Sequence, residues 1–206
     1  MLQRKKLLSS IVFKDLRFRK FIVINSIFLG TMALAWPLFP YVTVKVVNAT
    51  KFQISLIWAS FMVTSFIGQK YGGMLSDVIG RRKSLFIFFL PMSLVAFFYA
   101  IAQNWYYLLL GSLFGGLSNG AGFIAANTYV LDCAPETKKA SYTGFSNLTI
   151  GVASFISSLI SGVIAQNLSG AIGLEKTLRV MLFIIFLLRI LSATFYLRVE
   201  ETLDLS

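Results

Sequence analysis

The chain has 206 residues, of which 57% are hydrophobic and 13% charged, with a formal net charge of +11 and a mean hydropathy of +0.77. A soluble domain is nearer half apolar and about a quarter charged, so a soluble protein is excluded and a membrane protein is indicated. One cysteine and no histidine exclude an internal disulfide and any histidine-based metal site, triad or proton shuttle.

A spanning helix needs roughly 20 apolar residues, so the length holds about six helices and little else. Residues 1–20 form a basic leader: Arg4, Lys5, Lys6, Lys14, Arg17, Arg19 and Lys20 against Asp15 alone. Its apolar residues suit either a surface-lying segment or a solvated leader that sets orientation. The first apolar segment is too long for a signal-peptide core and lacks a small-residue cleavage site, so it reads as a retained helix.

Helix 1 is expected over residues 21–44. It carries Trp36-Pro37 and Pro40 in its second half. Proline removes a helix hydrogen bond and bends the chain, so that half should be bent or broken. Helix 2, residues 53–76, has Ser60, Thr64, Gly68 and Gly72 on one face, a stripe that lets membrane helices approach closely. Helix 3, residues 84–102, is apolar nearly all round and is expected to face lipid. Helix 4 opens with Trp105-Tyr106-Tyr107, an interfacial aromatic anchor, and runs to residue 131. Helix 5, residues 141–166, carries the stripe Gly144, Asn147, Gly151, Ser154, Ser158 and Gly162. Helix 6, residues 178–197, is apolar apart from Arg189, whose place two turns from the helix end suggests snorkelling to the headgroups. The organisation is therefore a leader (1–20), a six-helix domain (21–198) and a short tail (199–206). The fold class is an all-α membrane protein, a six-helix bundle.

Most of the 19 Lys and Arg fall in the leader, in the loop Asp77 to Lys83, in the loop after helix 4 and in the tail. That side is expected to be cytoplasmic, with both termini inside. The cations sit between apolar segments, so topology explains them and nucleic acid is not an expected partner. No nucleophile–base pair or metal cluster is present, so neither an enzyme nor a cofactor is expected.

The stretch Gly73-Met74-Leu75-Ser76-Asp77-Val78-Ile79-Gly80-Arg81-Arg82-Lys83 joins helices 2 and 3. Gly73 permits close backbone approach and Gly80 supplies the positive φ of a tight turn. Asp77 provides a carboxylate that Arg81 can meet with a bidentate fork, and Arg82 adds a further cation. The pattern G-x-L-x-D-x-x-G-R-R resembles the signature loop between the second and third helices of each half of a major facilitator superfamily transporter. Val78 stands where that loop has a basic residue. The segment Asp132-Cys133-Ala134-Pro135-Glu136-Thr137-Lys138-Lys139, followed by Gly144, is similar to the family's loop after the fourth helix. Pro135-Glu136-Thr137-Lys138 also resembles a sugar-porter motif, but that motif follows the last helix and here stands mid-chain.

The resemblance covers one six-helix half of a transporter that has two such repeats. Ser112 and Ser157-Ser158 stand where first halves carry other residues, which favours the carboxyl-terminal half. The resemblance implies alternating access of a small solute, with Gly73, Asp77, Gly80, Arg81, Arg82 and Asp132 as a gating loop. It places Asn25, Thr31 and Trp36 of helix 1 and Ser118, Asn119 and Asn127 of helix 4 toward the substrate cavity, with Asn147 of helix 5 beside them. The implied partners are the lipid bilayer, the solute and a second six-helix half, either a separate chain or a second copy. The alternative is a non-transporting membrane subunit or an inactive fragment of a transporter. Single cysteines at Gln103 and Asn167, in a Cys133→Ala background, should react with an impermeant reagent outside intact cells, and one at Ser9 should not. The reverse pattern overturns the orientation.

Overall fold

The computed structural model describes residues 15–203. Among them there is no strand, and six helices are long and apolar enough to cross a membrane. The first span is Leu16–Val46, the second Lys51–Ile79 and the third Arg81–Ile101; the fourth is Trp105–Cys133, the fifth Glu136–Ile172 and the sixth Leu174–Arg198. Both described termini lie at one end of the bundle, the near end, where Arg17 stands 4.0 Å from Glu200.

The helix ends follow from local chemistry. Asp15 caps the first helix by accepting from the Phe18 amide at 3.1 Å, so residues 16–20 are helical rather than leader. Residues 1–14 of the leader and 204–206 of the tail lie outside the described residues. Thr50 and Gln53 form a capping box at the start of the second span, satisfying two amides that a helix start leaves open. Gly80, at φ 90°, joins the second and third spans directly. Gly173, at φ 85°, does the same for the fifth and sixth. The loop expected after residue 166 is therefore this one glycine, with helix continuing to Ile172 on one side and starting at Leu174 on the other.

Two spans are broken. The first stops at Ala33 and resumes as Leu38–Tyr41 and a π-turn Val42–Val46. Pro37 offers no N–H to the Ala33 carbonyl, as its position predicts. The third divides into Arg81–Phe89 and Ser93–Ile101 around Pro91, a break absent from the sequence reading.

The second span packs most extensively, against the fourth; the fifth packs on the first, and the third on the sixth. The third also meets the fourth, and the sixth the first. Exchanging first with fourth, second with fifth and third with sixth reproduces these pairings, so the bundle is built from two three-helix repeats. The second and fourth spans meet almost backbone to backbone. A Cβ on Gly68 would strike the Leu117 carbonyl, and one on Gly120 the Ser65 carbonyl. Ser60 and Ser112 share a 2.7 Å hydrogen bond across this contact. The Ser60-Thr64-Gly68-Gly72 stripe is thus spent inside the bundle and is not an open face. The face left bare is the opposite one, with Phe52, Trp58, Met62, Phe66, Met74 and Val78. On the fifth span the expected stripe divides. Ser154 turns inward and Ser158 donates to helix 1, while Gly144, Gly151 and Gly162 meet nothing within 4 Å.

The third and sixth spans do have core faces. Leu85, Phe88, Phe89 and Met92 are buried on one, and Leu178, Leu182 and Ile185 on the other. The core itself falls into two clusters. One fills the near end around Phe18, Phe21, Phe28, Phe89, Tyr129 and Tyr196, with Phe21 stacked on Tyr129 at 4.4 Å. The other fills the far end around Ala35, Leu38, Ala96, Leu108, Leu178 and Leu182.

Gly120→Ala should lower the thermal midpoint in detergent, because overpacking of a tight contact costs about 1–3 kcal/mol. Gly151→Ala, with open space around it, should be neutral or stabilising by up to about 1 kcal/mol through helix propensity.

Candidate functional site: a carboxylate-bound arginine at the near end

Gly80 has no side chain with which to cap the helix that starts at Arg81. A distant residue does so instead. Glu201, just past the sixth span, accepts from the Arg81 amide at 2.7 Å through Oε1 and from the Arg82 amide at 3.1 Å through Oε2. A carboxylate is favoured there because the open amides and the helix dipole present positive potential.

The Arg81 side chain runs back into the bundle and is only 7% exposed. Its Nε donates to Asp132 Oδ2 at 3.0 Å. Its Nη1 donates to Ser76 Oγ at 3.0 Å and to Asp77 Oδ1 at 2.5 Å. One guanidinium thus ties the end of the second span, the start of the third and the end of the fourth. Thr202 Oγ1 adds a bond to the same Asp132 oxygen at 3.2 Å, and Tyr129 Oη donates to the Glu200 carbonyl at 3.0 Å. The tail after the sixth span is therefore part of the cluster.

The side chains contribute unequally. Asp132 is 28% exposed and Asp77 64%, so the Asp77 pair is the more weakened by solvent. Arg82 points outward and makes no ion pair among the described residues. Gly73 has only ordinary contact with Ile124, at 3.5 Å. The close approach expected of it belongs to Gly72, which lies against Ala121. Sequence reasoning brought Asp77, Arg81 and Asp132 together and missed Glu201, Ser76 and Thr202. An acid directly after the sixth span, on the same side as a capless helix start, is the signal that could have found Glu201.

The residues expected at a cavity are dispersed. Asn25 is buried and accepts from Tyr196 Oη at 2.6 Å. Thr31 lies 3.2 Å from Ser192 Oγ. Both serve the contact of the first and sixth spans through a polar partner on the neighbouring helix; Asn25 is closed off there, while Thr31 stays partly exposed. Ser118 is also buried. Trp36 is about half exposed, Asn119 and Asn127 are partly exposed, and Asn147 is exposed.

Arg189 does not snorkel. It is 1% exposed and donates to the carbonyls of Met32 at 2.9 Å and Met92 at 3.3 Å. Its guanidinium carbon lies 5.9 Å from the centre of the Phe39 ring. The two breaks supply acceptors at its own depth, so the side chain has no need of the headgroups.

Residues 21–205 match the Major Facilitator Superfamily. The chain belongs to that family. The family is one of membrane transporters rather than enzymes. The chain is 28% identical over 140 residues to the quinolone resistance protein NorA of Staphylococcus aureus, a match covering 68% of this chain and 36% of that protein. It is 32% identical over 113 residues to the arabinose-proton symporter of Bacillus subtilis, covering 53% of this chain and 24% of that one. The crystal structure of the human organic anion transporter MFSD10 (TETRAN) shares the fold with a TM-score of 0.69 at 15% identity, over 91% of this chain and 48% of that one. The chain thus spans about a third of NorA and about half of the solved transporter.

Asp132→Asn should destabilise by about 1–3 kcal/mol, since it leaves a buried arginine short of a partner. Asp77→Asn, at an exposed site, should cost about 0–1 kcal/mol. A double-mutant cycle of Asp132→Asn with Arg81→Gln, read by denaturant unfolding in mixed micelles, should return a coupling of about 0.5–3 kcal/mol.

Proposed function

We propose that this chain is one six-helix half of a transporter that moves a small solute by alternating access, in the plasma membrane with both termini cytoplasmic. The observation that carries this is the uneven burial of the spans. In the first and fourth spans 56% of the most apolar stretch is buried; in the second and fifth the shares are 17% and 11%. Two spans with bare faces of large apolar residues are what remains when a second six-helix body is taken away. A second half, on a separate chain or a second copy of this one, covers the second and fifth spans. The match to 48% of a longer transporter supports the same division.

In this reading the Arg81 cluster lies at the cytoplasmic mouth. Asp77 is its exposed carboxylate and meets the second half, while Asp132, Ser76 and Glu201 fix Arg81 behind it. The latch braces the mouth while the site opens outward, and it parts when the mouth opens. Thr31, Trp36, Asn119, Asn127 and Asn147 are the candidates for the solute path that keep exposed surface.

Purified as a single chain in liposomes, the protein should show no uptake; with its second half present, uptake should be saturable. In the assembled transporter, Asp77→Asn should slow turnover and raise the labelling rate of a cysteine at Asn127 from the cytoplasmic side, with folding retained. Saturable uptake by a proven monomer overturns the need for a second half. Wild-type accessibility and turnover in Asp77→Asn overturn the latch.

A further inference from the structure

The two bare faces each carry a polar side chain that the chain leaves without a partner. On the second span the bare face is centred on Phe66, which is 72% exposed. Ser55, Ala59, Met62, Lys70, Gly73 and Asp77 share that face at the spacing of 3.6 residues per turn. Lys70 is exposed and pairs with no carboxylate among the described residues; its Nζ stands 5.4 Å from the centre of the Tyr71 ring. On the fifth span the inner face is spent on the first, where Ser158 and Ser161 donate to the carbonyls of Ala33 and Leu34. The outer side carries Gly144, Asn147, Gly151 and Gly162. The three glycines have nothing within 4 Å. The Asn147 amide is exposed and makes no hydrogen bond among the described residues. Polar groups inside a span face protein rather than lipid.

The second and fifth spans run in opposite directions. A second copy, related by a two-fold axis along the membrane normal, therefore sets each second span antiparallel to the other copy's fifth. Depth then fixes the register. At 1.5 Å per residue, Lys70 lies roughly 15 Å from the Gly80 turn, and Asn147 lies roughly 12 Å from the helix start at Lys139. Both of those ends are near ends. With Lys70 opposite Asn147, Phe66 falls over the gap at Gly151 and Gly73 falls against Gly144. The same register carries Asp77 to Ala140, beside Lys138 and Lys139. Asp77 is 64% exposed and is the one acid in either span. Lys138 has no ion pair among the described residues, and Lys139 pairs only with the exposed Glu136. At the far end Lys51 meets Gln166. A large ring meets an open glycine, an ammonium meets an amide, a carboxylate meets two lysines, and no like charges are opposed.

We propose that the second half is a second copy of this chain, in a two-fold pair where Lys70 Nζ of each copy donates to the Asn147 side-chain oxygen of the other. The proposal rests on the reading that a second half covers the second and fifth spans. It takes Asn147 out of the solute path. Because a two-fold pair makes every contact twice, one matched register serves both bare faces.

The test is disulfide cross-linking between two differently tagged copies of the full chain in the membranes of the cells that make it, in a Cys133→Ala background. Phe66→Cys in one copy and Gly151→Cys in the other should give a cross-linked pair at twice the chain mass. Phe66→Cys with Gly162→Cys, equally open but about three turns away, should give at least tenfold less, and so should Phe66→Cys in both copies. Asn147→Lys sets two ammoniums together and should cut the yield of the Phe66→Cys and Gly151→Cys pair at least fivefold. Adding Lys70→Asn, which exchanges the two groups, should restore it to within twofold. Labelling of the single Phe66→Cys and Gly151→Cys variants with a lipid-soluble maleimide separates this proposal from the reading beneath it. Protection of both without cross-linking means that a different chain covers the face, which overturns the proposal alone. Free labelling of both without cross-linking overturns the second half as well. Equal cross-linking to Gly162→Cys, or a yield that Asn147→Lys does not move, overturns the pairing.

Discussion

The arrangement depends on one constraint: a helix that breaks inside lipid must have its freed backbone groups met by something else in the protein. The third span shows this along its whole length. Its first two amides are met by Glu201. At its break the Met92 carbonyl accepts from the Val95 amide and, in addition, from Arg189. At its far end Arg179 donates to the carbonyls of Ala100 and Ala102 at 3.0 and 2.9 Å. All three residues belong to the sixth span or to the tail directly after it. The contact of third and sixth spans, both nearly featureless in hydropathy, is thus specified by charged side chains aimed at backbone.

The pairings related by the internal repeat use different chemistry. The second and fourth spans are joined by glycine against backbone, a contact with little latitude, because a glycine pair offers no rotamer to adjust. The fifth and first spans are joined by serine hydroxyls on carbonyls, a contact that tolerates small shifts through rotation of Cα–Cβ bonds. One of these two contacts between the repeats is rigid where the other can yield, and the yielding one includes the broken first span.

The six helices were legible because lipid imposes a simple code of length and hydropathy, and Gly80, Pro37, Asp77, Arg81 and Asp132 carried local or motif information. Arg189 was misread because a lone arginine near a helix end has an ordinary explanation. What defeats that explanation is the depth of Pro37 and Pro91, and depth emerges only when three spans are aligned. The faces of the third and sixth spans were hidden for a related reason: leucine and phenylalanine serve equally well against core and lipid. Glu201 was not singled out because its partner amides are far away in sequence. The resemblance placed Asn25 and Thr31 toward a cavity, and sequence does not show that Tyr196 and Ser192 stand beside them as hydrogen-bond partners.

The dependence of the third span on the sixth has a consequence for biosynthesis. Spans enter the membrane in chain order, so the breaks at Pro37 and Pro91 are inserted before Arg189 exists to close them. During that interval the Met32 and Met92 carbonyls have the amides of Ala35 and Val95 as donors and lack the guanidinium. Arginine at the centre of a span itself resists insertion, by roughly 2.5–3.5 kcal/mol. The earlier breaks present acceptors that lower this resistance when the sixth span arrives. Each break helps to offset the other, and the sixth span closes on the first.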